Sequence, residues 1–298
     1  EFLAPTTLDA ALGALGASDT HLLGGGTALA LLLKTGLLDA GRVVWLGRVP
    51  ELRGIAEVDG ALQIGAGVTL HAIATSSLVR RHCPSLARAA GLAANIRVRA
   101  VATLGGHLVH ADPRQDCPPV LLACGATVHL ASATGERSLA LDDFVISLME
   151  TAILPTEVLT RVDVPIDSAR QEAYVRFAPG SEDDFPTVGA AVALRTDGVG
   201  ALDDLLIGVG AVGSRATRHR PDPAVWQGRQ CTPQTAAAVA AAVVAEVEPV
   251  PDHRGSARYR RHVTGVVVER ALALAQGGAR LPATTPGPDP PAIKRSTP

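Results

Sequence analysis

Apolar positions in the first fifty residues predict a strand, a glycine turn, a helix and a second strand. Residues 21–23 form the first short strand, which runs into three consecutive glycines at 24–26. Thr27 is placed to cap the helix "ALALLLKTG", which Gly36 ends. The segment "RVVWL" is the second strand. This order is typical of a small α/β unit.

A second block, residues 55–165, begins with a hairpin and ends with a strand. Alternation in "GIAEVDGALQIGA" predicts two strands around the turn Asp59-Gly60. Helices are predicted behind Thr69 and from Pro84, and a third in "CPPVLLACGA". The segment "RVRAVATLGGHLVHADP" is interpreted as strand, turn and loop, because adjacent glycines disfavour a helix. The strand "EVLTRVDVP" ends at Pro165.

After residue 170 the pattern changes to strands followed by helices. Strands are predicted at 172–177, 187–194 and 202–209, and helices at 233–246 and 256–276. This order indicates a separate α+β domain with a three-stranded antiparallel sheet. The predicted division is 1–54 and 55–165 for two α/β subdomains, 170–277 for the C-terminal domain, and 278–298 for a proline-rich tail.

The composition excludes several classes of function. The net charge is -2 and no long basic stretch occurs, which argues against nucleic-acid binding. The most apolar segments are too short to span a bilayer. Four cysteines form no C-x-x-C pair, so neither a zinc ribbon nor a cysteine-ligated iron–sulfur cluster is expected in this chain. They are interpreted as small buried apolar residues of a cytoplasmic protein.

Three glycine clusters are candidates for a phosphate-binding role. In "LLGGGTAL" the glycines between strand and helix either expose backbone N–H groups to a diphosphate or form a tight turn, and the sequence favours neither. "GVGAVG" at 208–213 matches the dinucleotide pattern G-x-G-x-x-G. Prolines at 221 and 223 end any following helix early, so a glycine-rich strand is predicted there instead.

The third cluster lies in "TLGGHLVHADPRQD", residues 103–116, and raises the alternative of a metal site. His107, His110, Asp112 and Asp116 lie close together in sequence. An extended chain would place the two histidines on opposite faces, which disfavours metal binding, and no metal ligand is predicted. A second glycine turn instead indicates that two loops hold one long diphosphate between them.

Two other groups of charged residues are weaker candidates. Glu182, Asp183 and Asp184 form either a paired-carboxylate site or, as we favour, a solvated loop. Arg97 and Arg99 are either surface charges or contacts to an anionic partner.

An ordered set of segments resembles a known family. The set comprises "LLGGGTALALLLKTGLL", "RVVWLGRVPELRGI", "LQIGAGVTLHAIA", "RVRAVATLGGHLVHADPRQDCPPVLLACGATVHLAS", "LDDFV", "YVRFAPGSEDDFPTVGAAVAL" and "RGSARYRRHVTGVVVERAL". Together they resemble the FAD-binding medium subunit of the molybdenum hydroxylases, which include carbon monoxide dehydrogenase and xanthine dehydrogenase. The resemblance implies the flavin-binding fold shared with vanillyl-alcohol oxidase and p-cresol methylhydroxylase.

The resemblance also implies cofactor contacts, and no catalytic side chain. The residues that match family positions for FAD are Leu23, Gly24, Gly25, Gly26, Thr27, Ala28 and Leu29 in the first loop, Thr103, Gly105, Gly106 and His107 in the second, and Asp116, Leu159 and Arg176 elsewhere. His107 replaces the usual asparagine. The family segment R-N-R-G-T is replaced by "RAVAT" at 99–103, which lacks the asparagine and the glycine, so the affinity for FAD is the property to measure.

By resemblance, FAD passes electrons from two [2Fe–2S] clusters in a small partner subunit to an acceptor such as NAD, oxygen or quinone. A large subunit carries molybdopterin, and the assembly implied is a dimer of heterotrimers. Two alternatives stay open from the sequence: a flavin-free docking subunit of the same complex, and a stand-alone flavin oxidoreductase of the same fold.

Overall fold

The computed structural model describes residues 1–16, 19–181 and 183–277. Its first sheet is small and parallel, with strand order β1-β3-β2. The elements of this part are β1 (Phe2–Leu3), α1 (Leu8–Gly13), β2 (Thr20–Leu23), α2 (Leu29–Lys34) and β3 (Arg42–Trp45). The predicted strand–helix–strand unit is therefore confirmed. The proline-rich tail and Glu182 lie outside the described residues.

The second sheet is antiparallel and has five strands in the order β4-β5-β10-β6-β7. Its strands are β4 (Ile55–Val58), β5 (Ala61–Gly65), β6 (Thr127–Ser132), β7 (Gly135–Ala140) and β10 (Val158–Pro165). A separate pair of short strands comprises β8 (Val145–Ser147) and β9 (Glu150–Thr151). The hairpin predicted around Asp59-Gly60 is confirmed by the antiparallel pairing of β4 and β5.

Seven helices of this block pack on or near the second sheet. They are α3 (Leu70–Thr75), α4 (Ser77–His82), α5 (Pro84–Leu92), α6 (Ile96–Arg99), α7 (Leu104–His110), α8 (Cys117–Ala123) and α9 (Leu141–Phe144). The prediction of strand, turn and loop before residue 113 was wrong, since α6 and α7 occupy that segment. Asn95 and Thr103 cap these helices, and the buried side chains Leu104 and Leu108 offset the glycine penalty of about 1 kcal/mol per residue.

The C-terminal part is an antiparallel sheet followed by helices. Its elements are β11 (Gln171–Phe177), β12 (Val188–Thr196), β13 (Leu202–Gly210), β14 (Thr217–His219), α10 (Pro223–Trp226), α11 (Pro233–Glu246) and α12 (Ala257–Ala275). The three long strands and two long helices confirm the predictions for 172–276. The sheet has four strands rather than the expected three, because the three-residue β14 pairs with β13 and is too short to show a periodic pattern.

The C-terminal sheet is buried on both faces. Along β12, Ala191 and Ala193 point into the large core formed with the second block, whereas Ala190 and Val192 point toward α11 and α12. This explains the uninterrupted apolar run of β12 in an antiparallel sheet. Small side chains on one face let α8 approach closely. None of the helices that the structure describes combines the length and apolarity needed to cross a membrane.

Candidate functional site

The first glycine cluster forms the turn between β2 and α2. Gly26 has a φ of +76°, a left-handed conformation that glycine adopts without strain. Ala28 is the N-cap residue of α2 and the helix has no side-chain cap, so the prediction that Thr27 caps it was wrong by one position. Within the described part of the chain, the backbone N–H groups of Gly25, Gly26 and Thr27 donate to no protein acceptor. These partly exposed donors are available to an anion.

The second glycine pair lies in the first turn of α7. Oγ1 of Thr103 accepts a hydrogen bond from the N–H of Gly106 at 3.2 Å. The N–H of Gly105 donates to the carbonyl of Ala66 at 2.8 Å. A Cβ on Gly105 would lie 2.7 Å from Cβ of Ala66, whereas the atom nearest to a Cβ on the exposed Gly106 would be Oγ1 of Thr103, at 3.0 Å. Gly105 therefore serves packing, and Gly106 faces outward.

The two glycine segments touch each other. A Cβ on Gly25 would lie 1.8 Å from the carbonyl oxygen of Val101, and a Cβ on Gly24 would lie 2.7 Å from Oγ1 of Thr103. The approach to backbone atoms requires glycine at position 25, whereas a Cβ at position 24 would require the Thr103 side chain to shift. Ala28 and Leu29 follow directly at the start of α2, and Leu23 ends β2 before the turn. The fold thus brings together the two loops that the sequence analysis paired.

His107 extends from α7 with a buried imidazole nitrogen. Within the described chain, its Nε2 atom has no hydrogen-bond partner. Burial lowers the pKa of His107 from 6.5 to about 4, and the positive charge of His110 adds to the decrease, while Asp112 opposes it. The ring is therefore neutral at physiological pH and can donate from one nitrogen and accept at the other. An unpartnered buried nitrogen fits a polar ligand that is placed here.

Asp116 and Arg176, predicted from separate motifs, lie side by side. Oδ1 of Asp116 accepts a hydrogen bond from the Tyr174 hydroxyl at 2.8 Å and lies 3.5 Å from Nε of Arg176. Burial raises the pKa of Asp116 from 3.8 to about 6, against the opposing effects of Arg176 and the Tyr174 bond. The Arg176 guanidinium also donates to the carbonyls of Leu92 and Asp184. It therefore ties the second block to the loop after β11.

Sequence reasoning missed Tyr174. Its side chain is fully buried and supplies the hydrogen bond that Asp116 accepts. Alternation along β11 places residues 174 and 176 on one face of the strand, so the sequence could have predicted that their side chains point the same way. The sequence could not predict that both contact Asp116, because Asp116 lies 58 residues away from Tyr174.

Leu159 is placed in the large hydrophobic core. It is 4% exposed and pairs with Leu130 across β10 and β6. The next residue, Thr160, accepts a hydrogen bond from the N–H of Ala66, whose own carbonyl accepts from Gly105. Leu159 is therefore connected to the second loop through one backbone hydrogen-bond chain.

Three of the remaining candidates, Asp112, Asp184 and Arg99, have protein partners. Asp112 accepts three hydrogen bonds from Arg114: Oδ1 accepts from the backbone N–H and from Nε, each at 2.9 Å, and Oδ2 accepts from Nη2 at 2.6 Å. Asp184 pairs with Arg254 at 2.6 Å, which lowers the pKa of that carboxyl. Arg99 donates to the carbonyl of Ala93 at 3.1 Å. The carboxylates of Asp112 and Asp184 are therefore each engaged by an arginine.

The glycine cluster "GVGAVG" at 208–213 begins in β13, which confirms the predicted glycine-rich strand. A Cβ on Gly208 would lie 1.8 Å from the carbonyl oxygen of Pro119, and one on Gly210 would lie 2.6 Å from its ring. The glycines of β13 thus allow contact with α8. The dinucleotide pattern of this segment reflects packing.

Comparisons with known proteins agree with this arrangement. Residues 1–167 match the family described as FAD binding domain in molybdopterin dehydrogenase, and residues 173–275 match the CO dehydrogenase flavoprotein C-terminal domain. The chain belongs to this family. As a medium subunit of the molybdenum hydroxylase type, it has an FAD-binding domain followed by the C-terminal domain of the flavoprotein.

Relatives of this medium subunit match along most of their length. The 6-hydroxypseudooxynicotine dehydrogenase complex subunit alpha of Paenarthrobacter nicotinovorans is 34% identical over 89% of this chain and 90% of the relative. The carbon monoxide dehydrogenase medium chain of Hydrogenophaga pseudoflava is 31% identical over 91% of this chain and 95% of the relative. Both are components of dehydrogenases.

Solved structures agree in fold. A chain of carbon monoxide dehydrogenase from Hydrogenophaga pseudoflava superimposes with a TM-score of 0.88 at 33% identity, covering 93% of this chain and 97% of the other. A chain of quinoline 2-oxidoreductase from Pseudomonas putida gives 0.88 at 30% identity, covering 93% and 96%.

Proposed function

We propose that this medium subunit binds FAD between its two glycine segments and relays electrons within a molybdenum hydroxylase complex. The observation that carries the proposal is the contact of the two segments beside backbone N–H groups that have no protein acceptor in the described chain. The residues proposed to hold FAD are Leu23, Gly24, Gly25, Gly26, Thr27, Ala28, Leu29, Thr103, Gly105, Gly106, His107, Asp116, Leu159 and Arg176.

Three groups in this set have distinct proposed tasks. The N–H groups of Gly25, Gly26 and Thr27 bind the diphosphate, and the absence of side chains lets its oxygens approach the backbone. Oδ2 of Asp116, which has no hydrogen-bond partner within the described residues, accepts from the nucleotide. Arg176 places a fixed positive charge near the flavin ring. When bound, FAD couples one-electron donors to two-electron acceptors.

The finer assignments follow from the same proposal. The fold is of the vanillyl-alcohol oxidase type, with subdomains at 1–54 and 55–165 and a C-terminal domain at 170–277. The partners are a molybdopterin subunit and a [2Fe–2S] subunit in a dimer of heterotrimers, with NAD, oxygen or quinone as acceptor. A cytoplasmic location is supported by four free cysteines.

The test is FAD retention by the purified protein and by glycine variants. Gly106→Val should abolish stoichiometric FAD, because a branched side chain on this exposed glycine blocks the ligand without meeting core atoms. Gly25→Val should also lose FAD, but together with stability, since its Cβ collides with Val101. Gly198→Val is the matched control, because no atom lies within 4 Å of a Cβ there.

Three outcomes distinguish the possible functions. Stoichiometric FAD in a folded Gly106→Val chain would refute binding between the two segments. A wild-type complex that shows no flavin absorbance and releases no FAD on denaturation would instead be explained by a docking subunit. A chain that purifies alone and turns over substrate would indicate a stand-alone flavin enzyme.

A further inference from the structure

Two thiols and a carboxylate form a cluster outside the proposed flavin site. Cys83 lies between α4 and α5, Cys124 is the C-cap residue of α8, and Glu172 lies near the start of β11. The two cysteines are 0% and 6% exposed, and the Glu172 side chain is 4% exposed. Separations of 41 and 48 residues explain why cysteine spacing did not predict the cluster. It joins the FAD-binding part to the C-terminal domain.

The three ligand atoms have the separations of a metal site. The Sγ atoms of Cys83 and Cys124 lie 3.7 Å apart, and Oε2 of Glu172 lies 3.7 Å from the first and 3.4 Å from the second. A tetrahedral zinc ion with bonds of about 2.3 Å to sulfur and about 2.1 Å to oxygen places such atoms about 3.8 and about 3.6 Å apart. Three vertices of a tetrahedron are therefore already set.

The surrounding charges and hydrogen bonds also suit an ion. The N–H of Ser85 donates to Oε1 of Glu172 at 2.9 Å, which fixes the carboxylate and leaves Oε2 directed at the thiols. Nε of Arg170 lies 3.1 Å from Oε2. Two thiolates, one carboxylate, a divalent cation and Arg170 sum to zero charge, so the buried cluster stays neutral when an ion replaces the two thiol protons.

A cavity gives access to the cluster. Cys124 and Arg170 line it together with residues of β12 and β13, and its volume is about 160 Å³. The cavity reaches the cluster at Cys124 and is large enough for several water molecules, so an ion has a path to that cysteine and room for a water ligand.

We propose that Cys83, Cys124 and Glu172 bind one zinc-class divalent ion, which fastens α8 and the α4–α5 junction to β11. Two cysteines and one carboxylate with a water ligand are a donor set that zinc accepts. The site does not depend on FAD, so its test and the flavin test fail independently.

The experiment measures zinc in the full-length, untagged chain after reduction, addition of Zn²⁺ and gel filtration. We expect one zinc per chain, two protons released per ion bound, and a thiolate-to-metal charge-transfer band when Cd²⁺ replaces zinc. Cys124→Ala and Cys83→Ala should each weaken binding at least about 100-fold, since they remove a ligand rather than a supporting group. Cys117→Ala is the control, because this equally buried thiol of α8 lies outside the cluster.

The outcomes are decisive for variants that keep the wild-type circular dichroism spectrum. Equal zinc in Cys117→Ala and Cys124→Ala would overturn the proposal, because the ion would then lie elsewhere. Failure of the reduced wild-type chain to retain zinc or to give the Cd²⁺ band would overturn it as well. Mass mapping of a Cys83–Cys124 disulfide, with no zinc bound after reduction, would identify a thiol pair instead.

Discussion

Asp116→Asn should remove a pH dependence that the buried carboxyl imposes on stability. Asparagine keeps the acceptor for the Tyr174 hydroxyl but cannot ionise. In the folded chain the pKa of Asp116 is raised from 3.8 to about 6, mainly by burial. Between these values the folded state holds a proton that the unfolded state has lost. Stability therefore falls as pH rises through this window and levels off above about pH 6.

The magnitude follows from the size of the pKa shift. At about 1.36 kcal/mol per unit, a shift from 3.8 to about 6 corresponds to about 3 kcal/mol in full. About 2 kcal/mol of this develops between about pH 4.5 and about pH 7. The attraction between ionised Asp116 and Arg176 is already contained in the folded-state pKa of about 6, so it adds nothing further to this pH dependence.

Denaturant unfolding of the flavin-free chain measures the effect. Tryptophan fluorescence should show the free energy of unfolding of wild type, relative to Asp116→Asn, decreasing by about 2 kcal/mol between about pH 4.5 and about pH 7. Asp112→Asn is the control, because the pKa of Asp112 is lowered from 3.8 by its hydrogen bonds to Arg114, so the contribution of this carboxyl changes only below about pH 4 and this variant should parallel wild type across the window. Parallel pH profiles for wild type and Asp116→Asn would refute a raised pKa at this carboxyl.

Three further predictions concern the same region. Tyr174→Phe leaves Asp116 without its hydroxyl donor and should lower the free energy of unfolding at pH 7 by about 1–3 kcal/mol. Denaturant unfolding measures this change, and an unchanged denaturation midpoint would contradict the hydrogen bond between Tyr174 and Asp116. His107→Asn should leave the pH dependence of FAD affinity between pH 6 and pH 8 unaltered, because the wild-type imidazole is already neutral there. FAD titrations at several pH values test this, and a change in affinity near pH 6.5 that is seen in wild type and lost in the variant would contradict it. Gly208→Ala should destabilise the chain by about 1–3 kcal/mol or more, since its Cβ collides with Pro119, and should not lower the FAD content per folded chain. Loss of FAD without loss of stability would contradict the packing role of Gly208.

Much of the fold could be predicted because its elements have strong local signals. The strands β12 and β13 carry long apolar runs, and α11 and α12 begin at threonine and serine caps. The α6–α7 segment was misread because propensity ranks glycine low, while the burial of Leu104 and Leu108 outweighs that local cost. The short β14 has no periodic pattern of its own and exists through its pairing with β13.

The candidate site also combines features that the sequence determined with features that only the tertiary structure decided. By itself the sequence determined the glycine turn at 24–26, the residue types beside both glycine segments and, through the order of its motifs, the flavoprotein family. The tertiary structure decided which glycines are required for packing and which are exposed: Gly25 meets Val101, whereas Gly106 faces outward. It also decided that Asp116 shares a buried site with Tyr174, and that Cys83, Cys124 and Glu172 converge. The physical reason is that local sequence sets backbone conformation, whereas distances and burial arise from contacts between segments distant in the chain.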